Sequence, residues 1–165
     1  MNNTTTHTTH TLTEKNIWSI LASIEDPEIP VLTITDLGIV RNVQITAEAT
    51  TIFITPTYSG CPATDMIAAN IKMALLAAGY KNIILTTILS PAWTTDWMTA
   101  TGKQKLKDYG IAAPNKQFII PADGVPCPHC NSHHTKLISE FGSTACKALY
   151  QCQQCKEPFD YFKCH

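Results

Sequence analysis

The chain has 165 residues, a length that suits one medium domain or two small ones, and 44% of them are hydrophobic, enough for a packed core. Twelve basic against thirteen acidic side chains leave a net charge of −1, so no basic surplus points to nucleic acid or an anionic membrane as partner. The polar opening MNNTTTHTTH has no apolar h-region, and no apolar run approaches the roughly 20 residues that span a bilayer.

A cytoplasmic protein is therefore expected, in which seven cysteines act as free thiols and metal ligands rather than as a disulfide framework. Residues 1–11 read as a disordered tail, and His7 and His10 belong to it. The first helix starts after Thr13: Ile17, Ile20, Leu21 and Ile24 make one apolar stripe, and Leu12 and Ile17 fit a hydrophobic staple. It stops near Glu25, because Asp26 precedes Pro27 and is pushed out of the helical region. Asp26-Pro27-Glu28-Ile29-Pro30 reads as a rigid extended loop. Strands follow at 39–45 and 51–55, close enough to form a hairpin. Cys61-Pro62 opens a second helix with Pro62 at its first position, and Gly79 ends it. Residues 82–89, NIILTTIL, read as a buried third strand. A third helix covers Thr95 to about Asp108, with Gly102 an awkward interior residue.

The expected architecture is α+β. A small αββαβα domain at 12–113 packs its helices on a three-stranded sheet, since a helix between the second and third strands implies a crossover. A linker at 114–126 carries a short apolar piece, FII, and a ribbon occupies 127–165. The open strand edge of so small a sheet allows a homodimer.

The ribbon rests on two knuckles, Cys127-Pro128-His129-Cys130 and Cys152-Gln153-Gln154-Cys155, separated by 21 residues. Each knuckle turns tightly enough to present two thiolates, and two knuckles complete a tetrahedron about one ion. Zinc is the leading reading; four thiolates also suit iron or an iron–sulfur cluster, and His129 or His165 can stand in for a thiolate. A closed four-thiolate site is structural, because it leaves no position for water or substrate. About 40 residues build little core unaided, so a metal staple is expected there. Strand-like stretches fill the gap at Thr135–Ser139 and Ala145–Tyr150, and Phe159, Tyr161 and Phe162 are expected to cover the ribbon.

Cys61 follows Ser59-Gly60 and should lie at or beside a helix N-terminus, where free amides and the positive dipole end favour a thiolate. It is either a reactive or metal-binding thiol or a capping residue tucked against its loop. Asp26, Glu28, Asp36 and Asp65 are the acidic residues able to converge on it, although Asp26 and Glu28 also suit a solvated turn. All six histidines fall in the tail or the ribbon, so a Cys–His pair in the α/β part requires the ribbon to fold back over it.

These residues carry a resemblance. DPEIPVLTITDLGIV and YSGCPATDMI are similar to the small α/β domain of iron–sulfur assembly factors, over residues 12 to about 110. Asp26, Pro27, Glu28, Asp36, Leu37, Gly38 and Cys61-Pro62 stand where that family has its motif. FGSTACKALYQCQQCKEPFDYFKCH, with SPAWTTDWMT before it, resembles the D-subunit family of bacterial phenylacetyl-CoA epoxidase systems over nearly the whole chain. That resemblance implies a non-enzymatic accessory protein of aerobic phenylacetate degradation. The systems concerned pair a di-iron catalytic subunit with a reductase that carries flavin and a 2Fe–2S cluster. The implied task is cluster assembly or insertion in the reductase, with the iron–sulfur assembly machinery as further partner. Cys61, Asp26 and Glu28 are then the contacts for a transient iron or cluster. The rival implication is a permanent, non-catalytic structural subunit. Cys146 and Cys164 lie in the matching stretch, but no role follows from their spacing.

Overall fold

The computed structural model describes residues 13–114 and 124–163. The expected tail, Leu12 of the staple, the FII piece of the linker, Cys164 and His165 lie outside the described residues.

Helix α1 (Glu14–Leu21) starts where Thr13 predicts, with the threonine side chain accepting from the Asn16 amide at 3.3 Å. It ends at Leu21 rather than near Glu25, because backbone pairing takes the chain away. The Ile34 amide donates to the Ile24 carbonyl (2.9 Å), the Asp26 amide donates to the Leu32 carbonyl (2.8 Å), and Glu25 bridges Thr33. The loop so closed is anchored from below by Ile29, Leu32 and Ile34, all buried. The Asp26 carboxylate shapes its tip by accepting the Glu28 and Ile29 amides at 2.9 and 2.8 Å.

Strands β1 (Val40–Ile45) and β2 (Thr50–Ile54) form the expected antiparallel hairpin. Helix α2 (Ala63–Ala77) then crosses over to β3 (Ile83–Thr87), which runs parallel to β2, giving the order β1-β2-β3. Pro62 is the N-cap of α2 rather than its first residue, one position earlier than expected. β3 is an edge strand and only half-buried: Ile84 is 49% exposed, because β2 is its one neighbour in the sheet.

The expected third helix is split. A 3₁₀ turn at Thr95–Trp97 comes first, and α3 (Ala100–Asp108) begins afresh at Thr99, whose hydroxyl accepts from the Gly102 amide at 2.9 Å. Both glycines of this region are explained by close approach. A Cβ on Gly102 would lie 3.0 Å from Asp36 Cβ and carbonyl oxygen, and one on Gly38, at φ +68°, would lie 2.4 Å from the Trp97 carbonyl.

Asp36 ties these pieces together. Its carboxylate accepts from Thr99 Oγ1 (3.0 Å), the Thr33 amide (3.2 Å) and Lys105 Nζ (2.7 Å). Burial opposes its charge, but the bonds from Lys105, Thr33 and Thr99 outweigh burial and hold the carboxyl below its ordinary value of 3.8. Asp36→Asn should therefore cost about 2 kcal/mol at neutral pH, the scale of hydrogen bonds to a charged group. The unfolded chain binds this proton more readily than the folded one. The contribution is thus complete above pH 3.8 and fades as pH falls towards the depressed folded value. Denaturant unfolding across that range should show the stabilities of wild type and the Asp36→Asn variant converging at acid pH.

The C-terminal sheet has four strands in the order β4-β7-β6-β5: β4 (Ile111–Ala112), β5 (Thr135–Ser139), β6 (Lys147–Cys152) and β7 (Pro158–Phe162). The sequence does not predict β4 or β7. Ile111 and Ala112 fall inside the expected first domain, yet they pair in parallel with Asp160 and Tyr161 and so belong to the ribbon sheet. Two cores result. Phe159, Tyr161 and Tyr150 pack with Val125, Cys127 and Cys152 in the ribbon core. Phe162 does not cover the ribbon as expected. It enters the α/β core with Cys146 and meets Trp93 edge-on at 6.1 Å. Period-2 alternation along β7 is the reason: Phe159 and Tyr161 share one face, and Phe162 lies on the other.

Candidate functional site

The four knuckle cysteines converge. Cys127 and Cys130 bracket a turn before β5, Cys152 ends β6, and Cys155 sits in the turn that leads to β7. Backbone bonds shape both turns. The Asn131 amide donates to the Cys127 carbonyl (2.8 Å), the Cys127 amide to the Ser132 carbonyl (2.9 Å) and the Cys152 amide to the Glu157 carbonyl (3.0 Å). All four sulfurs lie within 4.8 Å of one another, with Cys127 to Cys155 at 3.8 Å and Cys130 to Cys152 at 3.6 Å. Disulfides would hold paired sulfurs at about 2.05 Å. Ligands about 2.3 Å from one tetrahedral ion stand about 3.8 Å apart, which the Cys127–Cys155 and Cys130–Cys152 pairs match. The donor set therefore fits a closed, structural metal site.

Cys152 Sγ also accepts the Gln154 and Cys155 amides, both at 3.4 Å. Burial opposes its ionisation, but those amides and the neighbouring thiols outweigh burial and bring its pKa down to about 6. Burial holds Cys127 above its ordinary value, so an ion bound there would have to displace that thiol's proton. His129 is exposed and is not one of the four: its ring packs against Gly110, where an added Cβ would come within 3.2 Å of it.

The second constellation surrounds Cys61. The residue lies between β2 and α2, just ahead of the Pro62 cap, and its carbonyl accepts the Thr64 amide at 3.1 Å. Asp26 and Glu28 line one cavity with it, together with Thr64, Phe162 and Cys146. Asp36 and Asp65 do not join them: Asp36 is engaged by Thr99 and Lys105, and Asp65 is exposed on the first turn of α2. Burial pushes the Asp26 carboxyl up despite its two backbone bonds. Tyr58 stands beside Cys61, and its phenol is pushed up by burial and by the adjacent Cys61, Glu28 and Cys146.

Cys146 is the residue that sequence spacing missed. It sits in the turn before β6, and its thiol donates to Glu28 Oε2 at 3.2 Å while contacting Thr144 Oγ1 at 3.1 Å. Burial, with Glu28 and Asp26 adding to it against Thr144, pushes this thiol up to about 12. The ribbon does fold back over the α/β core, but the side chains it delivers to the cavity are Cys146 and Phe162. Among the described residues no histidine lines that cavity.

Comparison with known proteins gives two matched segments. Residues 14–81 match the model of the iron–sulfur cluster assembly protein family, and residues 112–163 match the PaaD zinc beta ribbon domain. The domain of unknown function 59 from Bacillus anthracis superposes with a TM-score of 0.53 at 26% identity, over 56% of this chain and 90% of that one. A conserved hypothetical protein from Thermotoga maritima gives 0.50 at 25% identity, over 58% and 94%. An Fe-S protein maturation auxiliary factor of Porphyromonas gingivalis is 35% identical over 53% of this chain and 84% of its own length. The putative 1,2-phenylacetyl-CoA epoxidase D subunit of Escherichia coli K12 is 55% identical over 90% of this chain and 91% of its own. With an assembly-type α/β lobe, a four-cysteine ribbon and that identity along almost the whole length, the chain belongs to the D-subunit family of phenylacetyl-CoA epoxidase systems.

Proposed function

We propose that this protein is an accessory maturation factor of a phenylacetyl-CoA epoxidase system, one that assists iron–sulfur cluster assembly or insertion in the reductase component. The supporting observation is the enclosure of Cys61 with Asp26 and Glu28 in one cavity of the lobe that matches iron–sulfur cluster assembly proteins. A thiol that shares its cavity with two carboxylates suits handling of iron better than nucleophilic turnover, because no histidine lines that cavity among the described residues. The relatives' names, epoxidase subunit and Fe-S maturation auxiliary factor, support an accessory role rather than an enzyme.

Zinc is the metal we assign to Cys127, Cys130, Cys152 and Cys155, as a structural ion that holds the ribbon. The reductase and the iron–sulfur assembly machinery are the partners of this reading, and the cytoplasm is its compartment. No helix of the described residues is long and apolar enough to cross a membrane.

Cys61→Ser should leave the fold and the ribbon metal intact, since the side chain is half-buried and the change nearly isosteric. In cells that carry only this variant, the reductase should purify with most of its iron and acid-labile sulfide missing. A fully loaded reductase from such cells would overturn the proposal. The relative's name as a subunit favours one rival, a permanent structural component of the oxygenase. Fixed-stoichiometry co-elution with the catalytic subunits on size exclusion, with normal loading in the Cys61→Ser strain, would establish that rival instead.

A further inference from the structure

The ribbon lobe places a thiol against a carboxylate of the other lobe, 118 residues away in sequence. Cys146 is buried in the α/β core rather than in the ribbon core, so its position serves the first lobe. Resting on the maturation reading, we infer that Cys146 is the second soft ligand of the Cys61 site. Cys61, Cys146 and Glu28 together hold one borderline divalent cation, ferrous iron as cargo, and not an assembled cluster.

Three observations carry this. The donors belong to one cavity whose other walls are largely apolar: Cys61, Cys146, Glu28 and Asp26 line it with Ile67 and Phe162. Two thiolates with a carboxylate select a borderline ion over magnesium or calcium. The cavity is also the right size for one atom. It has room for a guest of about the size of one water molecule, which suits a single ion. Finally, the Thr64 hydroxyl on the cavity wall is buried with no hydrogen-bond partner, as expected where a polar guest completes the site.

The proton that Cys146 shares with Glu28 marks the ion's place. Ferrous iron would displace one proton from each thiol, two in all, take the Glu28 carboxylate as it stands and remain ferrous. Cys146 and Glu28 already lie 3.2 Å apart, and among the described residues only the four ribbon cysteines form a donor group within 4.8 Å, so capture here requires the Cys61 thiol to move onto that pair. The contrast with the ribbon is functional. Four thiolates close a site, whereas three protein donors leave a position through which the ion is passed on.

The test uses the full-length protein with its ribbon site saturated with zinc, titrated anaerobically with ferrous iron and, as a spectroscopic probe, with cobalt(II). Wild type should take one equivalent beyond the zinc and show thiolate-to-cobalt charge-transfer absorption. Cys146→Ser should keep its far-UV circular dichroism and its zinc, lose about half of that absorption and bind at least about 10-fold more weakly, the loss expected even for a residue that only supports a ligand. Glu28→Gln, which retains both thiols, should keep the absorption and lose affinity. A wild-type protein that binds no ion beyond zinc overturns the inference, and so does a Cys146→Ser variant with unchanged affinity and absorption. If the ion site fails while Cys61→Ser still depletes the reductase, the maturation reading stands without it; if the reductase also loads normally, both fall.

Discussion

Removing the metal from the four-cysteine site, by chelation or by Cys127→Ser, should unfold the ribbon lobe and uncover Cys61 while the α/β lobe keeps its helices. The ribbon core holds few large side chains: Val125, Tyr150, Phe159 and Tyr161 around two of the ligands, Cys127 and Cys152. Aromatic contacts of Tyr150 with Phe159 and Tyr161, both at 5.8 Å, add about 0.5–1.5 kcal/mol each. Zinc, the ion proposed for this site, supplies roughly 10–16 kcal/mol of apparent binding energy in structural sites of small domains, as much as the whole stability of a typical domain. The ribbon therefore cannot persist without its ion. Its loss carries Cys146 and Phe162 away from the cavity they help close. Hydrogen exchange should show β5, β6 and β7 amides at the rate of unstructured peptide, with α2 still protected, and Cys61 should alkylate faster. Native protection of β6 in metal-free protein would contradict this.

Local signals in the sequence reveal the site only as far as local signals reach. The knuckles are legible because C-x-x-C turns depend on a few adjacent residues, and Thr13, Gly79 and the β1–β2 hairpin are legible for the same reason. Helix α1 ends early, and the third helix splits at Thr99, because contacts distant in sequence take over. Ile34 pairs with Ile24, and Asp36 reaches Thr99 and Lys105. Asp26 and Glu28 share a cavity with Cys61, whereas Asp36, an aspartate like Asp26 and nearer to Cys61 in sequence, stays outside it. What separates them is the partner each finds in tertiary structure. Cys146 is invisible in the sequence as a site residue because its neighbour there, Glu28, belongs to the other lobe. A parallel edge strand of two residues, β4, carries too little periodicity to be read at all.

Phe162→Ala is the substitution that should separate the two lobes without breaking either metal turn. The ring is 1% exposed and stands edge-on to Trp93, whose indole nitrogen donates in turn to the Leu37 carbonyl at 2.8 Å. Truncating so buried a phenyl leaves a cavity and costs about 3–5 kcal/mol. For a chain of this size that is a fall in the thermal midpoint on the order of 10 °C, at about 2–4 °C per kcal/mol. The loss should fall on the α/β lobe, because Phe162 belongs to that core although its strand belongs to the ribbon. Phe159→Ala, three residues earlier on the opposite face of β7, should do the reverse: it should weaken the ribbon core and its hold on the metal. Metal affinity by competition with a chelator and the thermal midpoint, measured for both variants, make the pair decisive. If Phe162→Ala weakens metal binding as much as Phe159→Ala does, the two lobes share one cooperative core and the division of β7 between them is wrong. If it leaves metal affinity unchanged and speeds alkylation of Cys61, then the aromatic side chain at the end of β7 is what holds the ribbon closed over the thiol.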